Sequence, residues 1–287
     1  MLTQAQIDSF NENGFLRVEN VYSQAEIAKM SEDLAYMMDK FAFWEAGWRG
    51  DWRKEEQYMQ AAEDAKAVLV HIHELHHFST AWMRAITKPE LADIASDLLD
   101  SESIEVHHST LHAKAPEAGT PFPMHQDDPF YPHANGQYVD ALVHVDMADE
   151  KSGCLKFLAG SHKLGKLEHI RGPEVEPHLP TQQYSIRDAV SVPANPGDVV
   201  FFSIYTIHGS ALNRSGRWRR LVRIGLRDPH NPQTEGLATG RPGIMVKGVR
   251  PHIEGTEVDV YKNWTLPGVP LHGEQKEHTP VTADFTR

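Results

Sequence analysis

The pattern of the sequence changes near residue 100, and this change limits the possible folds more than any other feature. Beyond Asp100, short runs of alternating polar and apolar residues are separated by Gly and Pro. Such punctuation is typical of strands joined by turns in an antiparallel β sandwich or barrel. The runs that we predict as strands are 104–114, 138–147, 154–158, 198–204 and 217–227. The sequence therefore predicts an all-β core that begins near residue 101.

Residues 1–100 have mainly helical patterns. Ser23 is followed three residues later by Glu26, which predicts a capping box at the start of a helix. Helical spacing of apolar residues returns in residues 56–99. The short run Phe15–Val18 is the exception, and we predict it as a strand. We expect the helices to be additions that serve as scaffolding for the β core.

The chain has 287 residues and a mass of 32.3 kDa, which suits one substantial domain. Long polar, Pro-containing stretches in a compact domain are often functional, so a lid over a site is expected in residues 163–195 or 228–287. We expect a single domain, 1–287, with three parts: helical scaffolding in 1–100, the β core in 101–230, and a C-terminal extension or lid in 231–287.

Composition excludes several classes of partner. The net charge of −12 argues against a nucleic acid or an anionic membrane as the main partner. The only cysteine, Cys154, allows no internal disulfide and is expected to be a buried apolar residue in a reducing compartment. Without a leader pattern or a long apolar run, the sequence predicts a cytoplasmic protein.

Four triplets in the chain have the form His-x-Asp or His-x-Glu. In extended chain, residues i and i+2 point the same way, so each could present an imidazole and a carboxylate to one metal ion. The triplets begin at His125, His144, His252 and His272. With 18 His and 40 Asp and Glu residues, such triplets also arise by chance, and their context must decide between them.

Context favours the triplet that begins at His125. Prolines on both sides place it where a strand passes into a loop, and His208 follows a predicted buried strand 83 residues later. His252 and His272 lie in Gly- and Pro-rich sequence with no later strand that carries a histidine. His144 lies inside an alternating run and fits a polar strand face better. Two imidazoles and one carboxylate are the ligands by which non-haem iron(II) oxygenases hold their metal and leave open positions for reactants.

Several short segments, spread over most of residues 1–227, match one family when they are taken together and in order. They are the helix and Asn-Gly-Phe-Leu of 2–21, His112 to Pro116, Met124 to Asp127, Ser152 to Leu155, Gly160 to Lys163, and His208 to Arg219. On these segments the chain resembles the phytanoyl-CoA dioxygenase family of iron(II)- and 2-oxoglutarate-dependent oxygenases. The resemblance implies a double-stranded β-helix (jelly-roll) fold with N-terminal helices packed on it.

The resemblance also implies a metal centre and a reaction. Fe(II) would be held by His125, Asp127 and His208. With O2 and 2-oxoglutarate as co-substrates, the enzyme would hydroxylate an unactivated C–H bond of a small metabolite and release succinate and CO2. The carboxylate of Asp127 argues against halogenation, because related halogenating enzymes lack it.

The co-substrate is expected at Arg219. The resemblance places the side-chain carboxylate of 2-oxoglutarate on Arg219, with help from the Ser210 hydroxyl, and Thr110 also lines this position. Odd-numbered residues of the run 217–223 share one strand face, and a guanidinium there can bind a carboxylate through two hydrogen bonds. We interpret Arg217, Arg220 and Arg223 as solvent-exposed or surface-paired.

The substrate pocket has three candidate residues. The candidates are Asp128, His108 and Lys114. Trp44, Trp48 and Trp52 either form an aromatic wall over a pocket or pack into the core. The chain departs from its relatives near Val70 or His71, where some have a lysine for the co-substrate, and at Leu142, where they have a tryptophan.

Two alternatives from other functional classes remain. A cupin-like metal enzyme that does not use 2-oxoglutarate needs the same three ligands but has no use for Arg219 and Ser210. A non-catalytic binding module of the same fold would normally have lost a ligand. Metal-dependent formation of succinate separates the oxygenase from both.

Overall fold

The computed structural model describes residues 1–58, 67–236, 239 and 242–251. Its helices are α1 (Gln4–Asn13), α2 (Gln24–Phe41), α3 (Thr80–Ile86) and α4 (Pro89–Leu99). The strands among these residues are β1 (Phe15–Val18), β2 (Phe43–Glu45), β3 (Leu69–His73), β4 (Ile104–Lys114), β5 (Phe122–His125), β6 (Tyr138–His144), β7 (Leu155–Phe157), β8 (Ile170–Gly172), β9 (Val175–His178), β10 (Val190–Val192), β11 (Val199–Ser203), β12 (His208–Ser210), β13 (Arg219–Arg227) and β14 (Ile244–Lys247).

The strands form two main antiparallel sheets. The larger sheet has the order β1-β11-β6-β13-β4-β3-β2, and β14 pairs with β4. The smaller sheet has the order β10-β7-β12-β5, and β8 and β9 form a separate hairpin. Strands β4, β6, β7, β11 and β13 confirm the five predicted runs. Because residues of both sheets line one cavity, the cavity lies between the two sheets.

The prediction of helix throughout residues 56–99 is wrong at β3. Val70 and Ile72 are buried, whereas His71 and His73 alternate with them and line the cavity. This period of two, in a run rich in β-branched residues, is a strand signal that the neighbouring helical patterns obscured. Residues 1–100 therefore contribute β1, β2 and β3 to the larger sheet in addition to the helices. The part of the prediction that covers residues 59–66 lies outside the described residues.

One face of the larger sheet is covered by helices. Buried residues of α2 recur every three or four positions, at Ile27, Met30, Leu34 and Met37. They belong to the same apolar cluster as residues of α4 and of strands β6, β11 and β13. The predicted capping box at the start of α2 is confirmed, since the Ser23 backbone N–H donates to Glu26 at 2.8 Å and Ser23 Oγ accepts from the Glu26 N–H at 3.3 Å.

Other sequence predictions have mixed outcomes. Cys154 is buried and free, as expected. Residues 163–195 contain the β8–β9 hairpin and β10. The triplets at His252 and His272, and most of the predicted C-terminal extension 231–287, lie outside the described residues. In the part of the chain that the structure describes, no helix has the length and apolar character needed to cross a membrane.

Truncation of Leu34 to Ala tests the packing of α2. Leu34 has no exposed surface, so Leu34→Ala should lower the free energy of unfolding by about 2–5 kcal/mol, measured by urea denaturation. Tyr36 of the same helix is 63% exposed, and Tyr36→Ala should cost less than about 1 kcal/mol. Equal losses in the two variants would contradict the orientation of α2.

Candidate metal centre

Strand pairing brings the two distant histidines together. In the register of β5 and β12, His208 lies directly opposite His125, and their ring centroids are 4.3 Å apart. The rings of Phe157 and Phe202 pack on His208 with centroids 5.8 and 4.4 Å away. Both histidines are 5% exposed. The two histidines that the sequence predicted to share one metal therefore lie side by side.

Asp127 reaches the same point through a turn and not through extended chain. Its φ of −83° and ψ of −22° place it at the start of a short 3₁₀ helix, Asp128–Phe130. Its Oδ1 atom lies 3.4 Å from His125 Nε2 and 3.7 Å from His208 Nε2. One ligand atom from each of the three residues therefore lies within 4.8 Å of the other two. The predicted convergence holds, but the extended geometry that we assumed for it is wrong.

The hydrogen bonds of the two histidines leave the correct nitrogen atoms free for a metal. His125 Nδ1 lies 2.7 Å from the Pro123 carbonyl oxygen, and His208 Nδ1 lies 3.0 Å from that of Thr206. Because a carbonyl only accepts, Nδ1 carries the proton in each ring, and the Nε2 lone pair faces Asp127. Burial lowers the pKa of His208 to about 3, so its imidazole is neutral. Two imidazoles and one carboxylate fit Fe(II).

Asp127 is oriented by Tyr131 and Arg223. The Tyr131 hydroxyl donates to Asp127 Oδ2 at 2.6 Å, and Arg223 Nη1 donates to the same oxygen at 3.0 Å. Burial alone would raise the pKa of Asp127, but the Arg223 guanidinium holds it well below its ordinary value. With Oδ2 held in this way, Oδ1 is free to bind a metal.

The Tyr131 hydroxyl also contacts a second carboxyl group, that of Asp140. Asp140 Oδ2 lies 2.8 Å from the Tyr131 hydroxyl oxygen. A phenol has one proton, so it can donate to only one of the two carboxyl groups. Burial raises the pKa of Asp140 well above its ordinary value, which places a proton on Asp140 and leaves the phenol proton for Asp127.

The interpretation of Arg223 as a surface residue is wrong. Arg223 lines the cavity, whereas Arg217 pairs with Asp149 and Arg220 pairs with Asp146 at 2.8 Å. The signal was available, because Arg223 is two alternations along the strand from Arg219 and therefore shares its face. Tyr131 had no comparable signal, since its role depends on the turn after Asp127.

The cavity beside the three ligands has a volume of about 600 Å³. Trp48 forms part of its wall, with its ring centroid 4.7 Å from that of His125 and 5.0 Å from that of Phe130. Trp52 is buried and packs on Tyr58, whereas Trp44 is 56% exposed. Of the three tryptophans, Trp48 therefore fits the wall alternative, and Trp52 fits the core alternative.

The three residues predicted to bind the co-substrate all line this cavity. They are Arg219, Ser210 and Thr110. Arg219 is 2% exposed, and its buried Nε atom has no hydrogen-bond partner among the described residues. Burial lowers its pKa to about 10. A buried guanidinium without an anionic partner makes this part of the cavity a site for an anion.

The three predicted substrate residues have different positions. His108 lines the cavity. Lys114 lies behind Ser210 and donates to its Oγ at 2.7 Å. Asp128 does not line the cavity and instead pairs with Lys166 at 3.1 Å, so the structure corrects its placement. The turn at Asp127 explains this, because it directs the two neighbouring carboxylates to different sides.

Two positions at which this chain and its relatives have different residues also lie at the cavity. His71 and Leu142 both line it. His144 does not, and its Nδ1 atom lies 3.0 Å from the Leu142 carbonyl oxygen. This placement agrees with our choice of the triplet at His125 over the triplet at His144 as the metal-binding one.

A second group of residues with neighbouring ligand atoms among the described residues is Glu74, His76 and His77, which come from one short segment of chain.

Comparisons with known proteins point to one family. The family model for phytanoyl-CoA dioxygenase (PhyH) matches residues 10–221. The "Probable alpha-ketoglutarate-dependent hypophosphite dioxygenase" of Stutzerimonas stutzeri is 28% identical over 223 residues, which cover 75% of this chain and 74% of that protein. The ectoine dioxygenase of Bordetella bronchiseptica is 26% identical over 258 residues, which cover 82% of this chain and 80% of that protein.

Solved structures show the same fold at lower sequence identity. The carbocyclase SnoK from nogalamycin biosynthesis superposes with a TM-score of 0.65 at 20% identity, covering 86% of this chain and 94% of that chain. EctD from S. alaskensis, solved with 2-oxoglutarate and 5-hydroxyectoine, gives a TM-score of 0.62 at 18% identity, covering 84% and 81%.

The fold and the site define an iron(II)- and 2-oxoglutarate-dependent dioxygenase, so the enzyme class and the cofactors predicted from the sequence are confirmed. The chain belongs to the phytanoyl-CoA dioxygenase family.

Removal of the Tyr131 hydroxyl tests the support of Asp127. Tyr131→Phe keeps the ring but loses the 2.6 Å hydrogen bond to Oδ2, and it should weaken Fe(II) binding about 10- to 100-fold in an anaerobic titration. Tyr205→Phe is the matched control, because the Tyr205 hydroxyl makes no hydrogen bond to any described residue. Unchanged Fe(II) affinity in Tyr131→Phe would contradict this role.

Acid should destabilise the metal-free protein through His144. Burial lowers the pKa of His144 from 6.5 to about 4 in the folded state. Between these values the unfolded chain takes up a proton and the folded chain does not, so stability falls as the pH falls through this window. Urea denaturation of His144→Gln should show a pH slope smaller by about 1.4 kcal/mol per pH unit. Equal slopes in the two proteins would show that His144 does not titrate in this way.

Proposed function

We propose that the protein hydroxylates an unactivated C–H bond of a small-molecule metabolite, with Fe(II) held by His125, Asp127 and His208. The observation that carries the proposal is the arrangement of one cavity. It has three convergent ligand atoms at one place and, at another, the Arg219 guanidinium, whose Nε atom has no hydrogen-bond partner among the described residues. A molecule with a chelating keto acid and a distant carboxylate satisfies both.

Arg219, Ser210 and Thr110 are the proposed residues for 2-oxoglutarate. Ser210 is two residues beyond His208 on β12, and alternate residues of a strand face the same side. Arg219 supplies two parallel N–H donors for the distal carboxylate. Ser210 and Thr110 supply hydroxyl groups to the same cavity.

When bound, Fe(II) and 2-oxoglutarate supply the oxidation: the co-substrate and O2 yield succinate and CO2, and one oxygen atom enters the substrate C–H bond. The chain supplies orientation and exclusion of water. Tyr131 and Arg223 hold Asp127 as an anion with one oxygen free for the metal. Trp48 and Phe130 add an apolar part to the cavity wall, with stacked rings whose centroids are 5.0 Å apart.

Several observations support a small substrate. The cavity of about 600 Å³ must hold the co-substrate and the substrate together. Some relatives are named for small molecules such as hypophosphite, methylphosphonate and ectoine, whereas others, from Bos taurus, Caenorhabditis elegans and Rattus norvegicus, are named for phytanoyl-CoA. The net charge of −12 opposes a highly anionic thioester and also a nucleic acid as the main partner.

We also propose the domain organisation on structural grounds. The described residues form a single oxygenase domain: 101–230 supply a double-stranded β-helix, to which 1–100 add β1, β2 and β3 and the helices that pack on it, whereas most of the predicted extension or lid at 231–287 lies outside the described residues. The shared apolar cluster of α2, α4 and the larger sheet supports this organisation. The single buried, free Cys154 supports a cytoplasmic location.

Formation of succinate from 2-oxoglutarate in air, measured with and without Fe(II), tests the proposal. His208→Ala should abolish both Fe(II) binding and succinate formation. Arg219→Ala should still bind Fe(II) but should need about 10- to 100-fold more 2-oxoglutarate, because a charged hydrogen-bonded contact is lost.

Arg217→Ala is the matched control, because Arg217 is close in sequence but pairs with Asp149 at the surface. It should leave the requirement for 2-oxoglutarate unchanged. Metal-dependent turnover that is unaffected by Arg219→Ala would favour the cupin-like alternative. Absence of Fe(II) binding in the unaltered protein would favour the non-catalytic binding module.

A further inference from the structure

Two consecutive histidines of β4 line the same cavity, which a regular strand does not allow. Successive side chains of a strand point to opposite faces, yet His107 and His108 are both part of the cavity wall. The register of β4 and β13 explains this. Gly225 pairs with His108 and Leu226 pairs with Val106, so His107 is the extra residue of a β-bulge. The bulge therefore brings two imidazoles together in one wall.

The proton of His107 is fixed by a chain of hydrogen bonds that begins at Gln233. The Gln233 side-chain amide donates to the Glu235 carbonyl oxygen at 2.5 Å, so its oxygen Oε1 is the atom that faces His107 Nε2, at 2.8 Å. An amide oxygen only accepts, so His107 carries a proton on Nε2. Burial and the Arg227 guanidinium lower the pKa of His107 to about 3. The ring is therefore neutral, and its Nδ1 atom is an acceptor.

His108 must supply the proton that lies between the two rings. The Nδ1 atoms of His107 and His108 are 2.8 Å apart, and two lone pairs at this distance would repel each other. Since Nδ1 of His107 has no proton, Nδ1 of His108 donates. The Tyr138 hydroxyl, 3.1 Å from His107 Nδ1, does not change this assignment, because it can donate to the same acceptor.

The other nitrogen atom of His108 is therefore a hydrogen-bond acceptor. Burial holds the pKa of His108 well below its ordinary value, so the neutral ring has no second proton for Nε2. The His108 Nε2 atom is buried and has no hydrogen-bond partner among the described residues. An unpaired buried acceptor is costly unless a bound molecule supplies a donor.

The charged residues on this side of the cavity favour a cation. Glu45 and Glu74 both line the wall. Arg223 lines it as well, but its charge is matched by Asp127, to which it donates at 3.0 Å. Among the described residues that line the cavity, the remaining lysine or arginine is Arg219, at the co-substrate end. The substrate side therefore has an excess of negative charge.

Aromatic rings add a second feature that suits a cation. Trp48 and Phe130 line the cavity, and their ring centroids lie 4.7 and 5.9 Å from that of the metal ligand His125. The face of an indole or phenyl ring attracts a positive charge within about 6 Å of its centre. A cationic group close to the metal would therefore contact both the carboxylates and the aromatic surface.

We propose that the substrate carries a protonated amino group and that His108 accepts a hydrogen bond from one of its N–H groups. This inference rests on the proposed function, because it places the substrate in the cavity beside Fe(II). His108 is then a residue that selects the substrate, and Gln233 and His107 are positioning residues that fix the tautomer of His108. An anionic group at this point would meet the lone pair of His108 Nε2 and the carboxylates of Glu45 and Glu74.

The tautomer of His108 is measurable without a substrate. The full-length protein, labelled with ¹⁵N-histidine and loaded with 2-oxoglutarate and Zn(II) as a diamagnetic substitute for Fe(II), would be studied by long-range ¹H–¹⁵N NMR. Loss of signals in His108→Phe identifies this ring. We expect a protonated Nδ1 atom and an unprotonated Nε2 atom. A proton on Nε2 of His108 would overturn the proposal.

Gln233→Leu tests the positioning of the two rings. It removes the acceptor that holds the proton on His107 Nε2, so His108 should show a mixture of both tautomers. Gln137→Leu is the matched control, because Gln137 is exposed and does not line the cavity. It should leave the His108 signals unchanged. An unmixed tautomer in Gln233→Leu would show that Gln233 does not act in this way.

Four probes with the same alkyl chain test the substrate class: butylammonium, butan-1-ol, butyl methyl ether and butyrate. Each would be titrated into the same labelled protein. Butylammonium should shift the His108 Nε2 signal and bind about tenfold or more tightly than the ether or butyrate, and His108→Phe should remove most of this advantage. Absence of butylammonium binding, or equal or tighter binding of any other probe, would contradict an amino group.

A second variant keeps the test decisive if His108→Phe does not fold. The Glu45 side chain is 58% exposed, so Glu45→Gln leaves the core intact. It should weaken butylammonium binding by about threefold or more and leave butan-1-ol binding unchanged, because the lost interaction is one of charge. Equal effects on the two probes would count against the proposal.

The outcomes separate this inference from the proposed function. If the unaltered, Fe(II)-loaded protein does not bind 2-oxoglutarate, the proposed function fails. If it binds 2-oxoglutarate but His108 carries its proton on Nε2, or butylammonium does not bind, the inference about the substrate is wrong while the proposed function stands.

Discussion

The antiparallel pairing of β5 with β12 is the interaction on which the site depends. It places His208 opposite His125, and it places Ser210 in the same strand, two residues further along. Neither histidine could reach the other through local structure, because 83 residues separate them. The larger sheet and its helices fix the opposite wall of the cavity, from which Arg219 and Arg223 project. The fold therefore holds β5 and β12 in register with each other and opposite the larger sheet.

The buried charges at and behind the cavity wall form two groups, of which one is neutralised by an ion pair and the other is not. Arg223 is paired with Asp127, so that group is balanced before a metal binds. Arg219 and Lys114 have no carboxylate partner among the described residues. Uncompensated buried charge is costly and persists where function requires it. The imbalance points to an anionic ligand at the second group, and a metal suits the first.

The sequence predicted the elements whose signals are local and periodic. The alternating runs became β4, β6, β7, β11 and β13, and the capping box of Ser23 and Glu26 marked the start of α2. The three proposed metal ligands were selected from the triplet at His125 together with His208, and the structure brings their ligand atoms together. Strand β3 was missed because its five residues lie between helical patterns, and Tyr131 was missed because its contact depends on the turn at Asp127. Contacts set by turns and cross-strand register need three-dimensional information that no local pattern carries.

The most direct test of the account is a crystal structure of the Fe(II)-loaded protein with anomalous diffraction data at the iron absorption edge. We expect one strong peak in contact with His125 Nε2, His208 Nε2 and Asp127 Oδ1, whose ligand atoms already lie within 4.8 Å of one another. A peak at Glu74, His76 and His77 instead, or no ordered iron among the three predicted ligands, would contradict the assignment of this cavity as the metal centre.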